Sequence, residues 1–135
     1  MTSQPAGKAL WDSIVASKKV VYITESEGGN AAQAHSFDGM NGKGSDANIY
    51  YNPSRLSGGT DDAGSNNRPS FVGLGHELGH VEEYFSGTAI RKKDAQSARS
   101  YGQSGTTPLN EKNSIKQENK VRDEHGLTKR SNYVD

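Results

Sequence analysis

The chain has 135 residues, of which 30% are hydrophobic and 16 are glycine, so it is long enough for one domain with a modest core. Its 16 basic residues balance its 16 acidic residues, which argues against charge-driven binding of nucleic acid or of an anionic membrane. It contains no cysteine, which excludes disulfides, thiolate metal sites and cysteine nucleophiles. Any bound metal must therefore rest on His, Asp and Glu.

The first part of the chain predicts a helix followed by two strands. Apolar residues fall near helical spacing within residues 5–17, at Ala9, Leu10, Ile14 and Val15. The β-branched run VVYIT at 20–24 predicts a strand, and a glycine-rich polar connection then leads to a second short strand, NIYYN, closed by Pro53. We expect the two strands to pair as a hairpin with a long loop.

A central helix is predicted to begin at Pro69 and to end at Gly87. Its apolar residues recur at intervals of 3, 4, 3 and 4, at Phe71, Leu74, Leu78, Val81 and Phe85. Val72 and Gly73 lie on the far side from this stripe, so we expect both faces of the helix to be covered. The helical glycines Gly75 and Gly79 suggest the close approach of another backbone or of a substrate, or close helix packing alone.

A C-terminal helix of about 17 residues is predicted between two clear boundaries. Thr107 and Pro108 are suited to its N-cap and first turn, and Gly126 before Leu127 is typical of its end. Five residues fall on one face of this helix, namely Glu111, Ile115, Glu118, Arg122 and His125. The simplest alternative for the charged members is a set of surface ion pairs.

The stretch HELGH at residues 76–80 has the pattern of a metal site. Two imidazoles four residues apart project from one helix face, so His76 and His80 can both reach one tetrahedral metal. Glu77 is placed to accept the proton of a metal-activated water and to deliver it to the leaving amine. The alternative is a solvated His and Glu face on an amphipathic helix.

A catalytic zinc site usually takes three protein ligands, so a third is needed. The metzincin pattern is excluded, because Glu83 and Ser86 stand where it requires Gly and His. Glu111 is the first candidate, and Glu118 and Asp94 are the alternatives, although the spacing around Asp94 does not fit aspartate-type zincins. Candidates for stabilising the transition-state oxyanion are His125, Tyr101, Tyr133 and Arg122. His35 lies in a polar stretch and is expected to be exposed.

Three segments together resemble one family, the NleD-like effector zinc metallopeptidases: GKGSDANIYYNP, FVGLGHELGHVEE and LNEKNSIKQENKVRDEHGLTKRSNY. The resemblance covers about residues 40–133, and that family occurs as secreted bacterial effectors and as C-terminal modules of Rhs-type polymorphic toxins. The matching positions outside HELGH are Asn52, Pro53, Glu111, Glu118, Asn119, Arg122, Arg130 and Tyr133.

The resemblance implies that His76, His80 and a late carboxylate, Glu111 first, hold zinc, with Glu77 as the base. Two features depart from the family pattern. Gly79 stands where a bulky residue is usual, and the Val, Glu and Glu at 81–83 stand where aromatic residues often follow the second histidine. We therefore expect the substrate groove to differ from that of the family.

The expected fold is a single α+β zincin-like domain spanning residues 1–135, with a short sheet beside the HExxH helix and a C-terminal helix closing the metal site. The expected function is that of a zinc-dependent endopeptidase, an effector or toxin domain that cleaves a target-cell protein, with NIYYN as the edge that pairs with an extended substrate. The runner-up is a zinc-stabilised, non-catalytic binding or adaptor module. A metal-free toxin or interaction domain is a third alternative.

The N-terminus lacks an apolar run of signal-peptide length, and no segment approaches the roughly 20 apolar residues of a membrane-spanning helix. We therefore expect delivery by a specialised bacterial secretion system, or as part of a larger toxin, followed by action in the target-cell cytoplasm. The expected partners are a protein substrate and, for an antibacterial toxin, a cognate immunity protein. We expect a monomer that binds neither nucleic acid nor membrane.

Overall fold

A computed structural model describes residues 5–58, 61–89 and 109–131. Within these ranges the architecture is α+β, as predicted, and is compatible with a small zincin-like domain. The helices are α1 (Pro5–Ala16), α2 (Ser70–Ser86) and α3 (Lys112–Glu124), and the strands are β1 (Val21–Glu25), β2 (Ala31–Ala34) and β3 (Ala47–Tyr51). Two short 3-10 turns cover Phe37–Gly39 and Leu109–Glu111.

The three strands form one mixed sheet in the order β1, β3, β2. Strand β3 is central, parallel to β1 and antiparallel to β2. Two predictions are therefore wrong: β1 and β3 do not form a hairpin, and NIYYN is not an edge strand. Strand β2 was missed because its sequence, AAQA, is dominated by alanine, which has little intrinsic preference for strands.

Helix α2 lies at the centre of the fold, and its apolar stripe from Leu74 to Phe85 packs against the sheet and α1. The core consists of Leu10, Ile14, Ala47, Ile49, Leu78, Val81 and Phe85. Val72, on the far side of α2, is also fully buried, so both faces of the helix are covered, as predicted. Pro69 is the N-cap residue and not the first helical residue, while Gly87 ends the helix with a φ of 76°.

Helix α3 packs closely against α2 at Gly79. A Cβ at that position would lie 2.8 Å from the Cα of Ser114, so the glycine permits the close approach of another backbone, one of the predicted explanations. Asn113 on α3 reinforces the contact by donating its amide to the Gly79 carbonyl at 3.0 Å. Thr107 and Pro108 lie outside the described residues, and α3 is 13 residues long. No helix in the described ranges is long and apolar enough to cross a membrane.

Candidate metal centre

His76, His80 and Glu111 form a compact group in which one potential ligand atom from each lies within 4.8 Å of the others. The two imidazole rings lie one turn apart on α2, with centroids separated by 5.3 Å. Glu111 ends the 3-10 turn that leads into α3, and its Oε1 lies 3.4 Å from Nε2 of His76 and 3.0 Å from Nε2 of His80. His76 is only 4% exposed, so HELGH is not a solvated helix face.

Glu118 lies on the opposite side of the His76 ring from Glu111. Its Oε1 is 2.8 Å from His76 Nδ1, and the carboxylate is fully buried among arginines. Arg122 donates Nε to Oε2 at 2.8 Å, Arg130 donates Nη1 to Oε1 at 2.9 Å, and Arg68 Nη1 lies 3.7 Å from Oε1. Burial alone would raise the pKa of Glu118, but the His76 hydrogen bond and the nearby positive charges lower it to about 2. Glu118 is therefore an ionised carboxylate that orients His76.

Of the three carboxylates predicted as possible third ligands, two lie in the described part of the chain, and these two contact different nitrogens. Glu111 faces Nε2 of both histidines, whereas Glu118 contacts the other nitrogen of His76. Asp94 lies outside the described residues. The surface ion-pair alternative for Glu118 and Arg122 is wrong, because both side chains are buried.

The chemistry of these groups fits a cation at the meeting point of His76, His80 and Glu111. When the neutral His76 ring donates Nδ1–H to Glu118, its Nε2 is a hydrogen-bond acceptor that faces another acceptor, the Glu111 carboxylate. Two facing acceptors require a proton or a metal ion between them. The second oxygen of Glu111, Oε2, is buried and makes no well-formed hydrogen bond, although it lies 2.8 Å from His80 Nε2.

A proton stabilises the same arrangement when no metal is bound. Burial opposes a charged His76, but its hydrogen bonds to Glu111 and Glu118 outweigh burial and raise the pKa of His76 to about 9. Burial likewise opposes ionisation of Glu111, but the hydrogen bonds from His76 and His80 lower its pKa to about 2. Two imidazoles and a carboxylate form a ligand set that catalytic zinc sites use.

Glu77 follows His76 on α2 and is 9% exposed. Burial raises the pKa of its carboxyl group; the charges of His76 and His80 oppose this rise, and that of Glu111 adds to it. A carboxyl group whose pKa is raised above its ordinary value takes up a proton more readily, which favours a part in proton transfer. Glu77 therefore has the surroundings that a general acid and base requires.

A comparison with protein families gives a match over nearly the whole chain. The family model Peptidase_M91, described as "Effector protein", matches residues 1–133. The chain belongs to the Peptidase_M91 family. This result confirms the resemblance to the NleD-like effector metallopeptidases and supports a role as a protease effector. Searches of curated proteins and of solved structures found no match.

The structure of this Peptidase_M91 chain adds a neighbour of the candidate metal centre that sequence reasoning missed. The Tyr84 ring lies 6.4 Å from the His80 ring, and its hydroxyl donates to the Ala32 carbonyl at 3.3 Å. Burial, followed by the charges of Glu77 and Glu111, raises the pKa of Tyr84 to about 12, so the hydroxyl remains a donor. The sequence signal that could have identified Tyr84 is its position four residues after His80, on the same side of the helix.

Two of the four residues predicted as candidates for stabilising the oxyanion lie in the described part of the chain, and both make other contacts. Arg122 holds Glu118, and His125 packs against Phe71 with ring centroids 4.6 Å apart. Tyr101 and Tyr133 lie outside the described residues. His35 is exposed, as predicted, and its ring stacks on Tyr22 at the sheet.

Proposed function

We propose that this Peptidase_M91 effector is a zinc-dependent endopeptidase that hydrolyses peptide bonds of a target-cell protein. The observation that carries the proposal is the convergence of His76, His80 and Glu111 beside the buried Glu77. Three protein ligands of this type are characteristic of catalytic zinc sites, whereas structural zinc sites usually have four. The family's description as an effector protein supports the role in a target cell.

When bound by His76, His80 and Glu111, zinc would supply Lewis-acid chemistry that acidifies water and polarises a peptide carbonyl. Glu77 accepts the proton of the attacking water and passes it to the leaving amine, and its raised pKa suits both steps. Glu118 accepts the Nδ1–H of His76, which keeps Nε2 directed towards the metal position.

We further propose that the protein acts as a monomer in the cytoplasm of a target cell, after delivery by a specialised bacterial secretion system or as part of a larger toxin. Its main partner is a protein substrate, and an antibacterial toxin would also have a cognate immunity protein. The balanced charge of the chain argues against nucleic acid or an anionic membrane as the binding partner.

The first test is zinc content per chain after purification and zinc loading, measured by elemental analysis on the wild type, His76→Ala, Glu111→Ala and the control His35→Ala. His35 is exposed and belongs to no metal group among the described residues, so its variant should keep about one zinc. The wild type should hold about one zinc, and the other two variants should lose it. A wild type without zinc would overturn the proposal, and retention in Glu111→Ala would overturn this choice of third ligand.

The second test separates catalysis from metal binding through Glu77→Gln, which keeps the size of the side chain and removes the base. This variant should hold zinc as the wild type does. A target-cell lysate treated with the zinc-loaded wild type should acquire new protein N-termini, identified by mass spectrometry, that Glu77→Gln does not produce. Equal cleavage by both proteins would refute the role of Glu77, and cleavage by neither would favour the non-catalytic zinc module.

A further inference from the structure

Arg68, which lies just before α2, is a buried arginine whose donors are not used. It is 9% exposed, and its Nη1 lies 3.7 Å from Oε1 of Glu118, too far for a hydrogen bond. Arg122 and Arg130 donate to that carboxylate instead, at 2.8 and 2.9 Å. Within the described ranges the guanidinium group of Arg68 has no hydrogen-bond acceptor. Since no Arg68 nitrogen is among the fully buried atoms that lack a partner, these nitrogens keep contact with solvent and can accept a ligand.

Arg55 brings a second guanidinium group to the same place. Its Nη2 lies 3.5 Å, and that of Arg68 3.1 Å, from the position that a Cβ on Gly58 would occupy, so both nitrogens lie within 3.5 Å of one point. Nε of Arg55 donates to the Ser57 carbonyl at 3.1 Å, while its terminal nitrogens have no acceptor in the part of the chain that the structure describes. Burial lowers the pKa of Arg68; Glu118 opposes this, and the charges of three other arginines, Arg55 among them, add to it. The two cations therefore meet without an anion between them.

Asn30, the residue before β2, supplies a neutral donor beside Arg68. Its Oδ1 accepts a hydrogen bond from the Asn52 amide at 2.8 Å, which fixes the orientation of the side chain. Its Nδ2 and the Arg68 Nη2 lie 2.7 and 3.3 Å from the position of a Cβ on Gly73, and thus within 3.3 Å of one point. This Nδ2 has no acceptor among the described residues either. The side chains of Asn30, Arg55 and Arg68 are called the donor cluster below.

The donor cluster lies one helical turn from the candidate metal centre. Gly73 and Glu77 are four residues apart on α2, so they share one side of the helix and are about 6 Å apart along its axis. Burial raises the pKa of Glu77, and the charge of Arg68 is among those that oppose this rise. A distance of about 6 Å corresponds to roughly two residues of an extended chain. A group bound by the donor cluster would therefore lie close in sequence to a bond held at Glu77.

We propose that the donor cluster binds a carboxylate of the substrate, the side chain of an Asp or Glu within about two residues of the cleaved bond. A guanidinium group presents paired N–H groups that match the two oxygens of a carboxylate, and Arg55 and Arg68 can each offer such a pair. The bound carboxylate supplies the acceptors that Arg68 lacks and offsets the repulsion between the two cations. That this carboxylate belongs to a cleaved polypeptide rests on the proposed function.

Binding is tested on the full zinc-loaded Glu77→Gln chain, which leaves its peptide intact. The probes are sodium acetate and two acetylated, amidated peptides, Thr-Ala-Ala-Xaa-Ala-Ala-Thr, with Xaa as Glu or Gln, each titrated by NMR at low ionic strength. We expect the Glu peptide to bind at least about tenfold more tightly than the Gln peptide, and more tightly than acetate. The Glu peptide should also shift the side-chain signals of Asn30 Nδ2 and Arg68 Nε.

Two variants alter the donor cluster and leave the three candidate metal ligands in place. Arg55→Gln removes one guanidinium group from a partly exposed position, and should reduce the preference for Glu over Gln to less than about threefold. Asn30→Asp keeps an acceptor for the Asn52 amide and places the chain's own carboxylate against Arg68. It should abolish the preference and raise Tm. Lys43→Gln removes an exposed positive charge elsewhere and should leave both quantities unchanged.

Equal affinity for the Glu and Gln peptides, including the absence of binding by both, would overturn the proposal. A preference that survives both variants would do the same, and so would acetate that binds as tightly as the Glu peptide, which would identify a site for a free anion. If the Glu peptide binds as expected while the zinc-loaded wild type cleaves neither peptides nor lysate proteins, the carboxylate site stands and the proposed hydrolysis fails. If lysate proteins are cleaved but Asp and Glu are not enriched within two residues of the new N-termini, hydrolysis stands and the recognition of a carboxylate fails.

Discussion

Nδ1 of His76 lies 2.8 Å from Oε1 of Glu118, at the centre of a buried group of charges. Metal-binding histidines commonly donate their second N–H to a carboxylate, which fixes the tautomer and the direction of the ring. Here the carboxylate is held by Arg122 at 2.8 Å and Arg130 at 2.9 Å. Glu118 therefore supports His76 without belonging to the group of three, His76, His80 and Glu111, that could hold a metal.

Glu118→Gln should weaken zinc binding by about 10-fold to 100-fold while leaving the saturated content at about one zinc per chain. The reason is that Gln still accepts from Nδ1–H but no longer provides a buried negative charge. The same variant should lower the free energy of unfolding by about 3–5 kcal/mol, since Arg122 and Arg130 lose a buried anionic partner. Chelator competition and urea unfolding measure the two effects.

Asp123→Asn is the matched control, because it removes a carboxylate from an exposed position on the same helix. It should change the free energy of unfolding by no more than about 0.5 kcal/mol and leave zinc affinity unchanged. If Glu118→Gln bound zinc as tightly as Asp123→Asn, Glu118 would have no role in positioning His76.

Gly79→Ala should destabilise the protein although alanine favours helices. The new Cβ would lie 2.8 Å from the Cα of Ser114, a backbone atom that can move only if α2 and α3 separate. Overpacking of this kind costs about 1–3 kcal/mol against a propensity gain of about 1 kcal/mol, so we expect a net loss of up to about 2 kcal/mol. Thermal unfolding measures the loss, and Ser86→Ala at an exposed position of the same helix is the control. A stabilised Gly79→Ala would contradict the close contact.

Helix α2 and its histidines were predictable because the information lies within one segment. The apolar stripe from Phe71 to Phe85 has helical spacing, Gly87 ends the helix, and two histidines four apart share one face. Strand β2 was not predictable in this way, because its alanines acquire strand structure from pairing with β3. The role of NIYYN as central strand followed only once that pairing was known.

The buried contacts of Glu118 could not be predicted from local sequence patterns either. Its spacing to Arg122 suits an exposed ion pair as well as a buried one. Glu118 is covered by two residues that are distant in sequence. Arg130 follows the turn at Gly126, and Arg68 precedes α2. Contacts between residues far apart in sequence have no signature in helical spacing, so the sequence suggested Glu118 as a possible ligand and did not predict its contact with His76 Nδ1.

Zinc binding should depend on pH well above the ordinary range of histidine. The pKa of His76 in the metal-free protein is raised to about 9, so at pH 7 the ring carries a proton that zinc must displace. Affinity should therefore increase by up to about tenfold per pH unit between pH 7 and 8, and flatten near pH 9. Glu111, whose pKa is lowered to about 2, stays ionised throughout and adds no pH dependence in this range.

The number of protons released per zinc reports the same competition directly. Calorimetric titrations at pH 7.5 in two buffers with different ionisation enthalpies should give a release close to one proton. An ordinary imidazole, with a pKa near 6.5, would release only about a tenth of a proton at this pH. A release near zero would show that His76 is neutral in the metal-free protein and that the hydrogen bonds to Glu111 and Glu118 do not hold a proton there.

Zinc should also stabilise the fold, because the unfolded chain does not bring α2 and Glu111 together. Free zinc at 100 times its dissociation constant adds about 2.7 kcal/mol to the free energy of unfolding, or about 10 °C in Tm for a chain of this length. Glu77→Gln should retain this shift, since Glu77 is not a ligand in the proposed site, whereas Glu111→Gln should lose most of it. Thermal scans with zinc and with a chelator measure the difference. Equal shifts in the two variants would place the metal elsewhere in the protein.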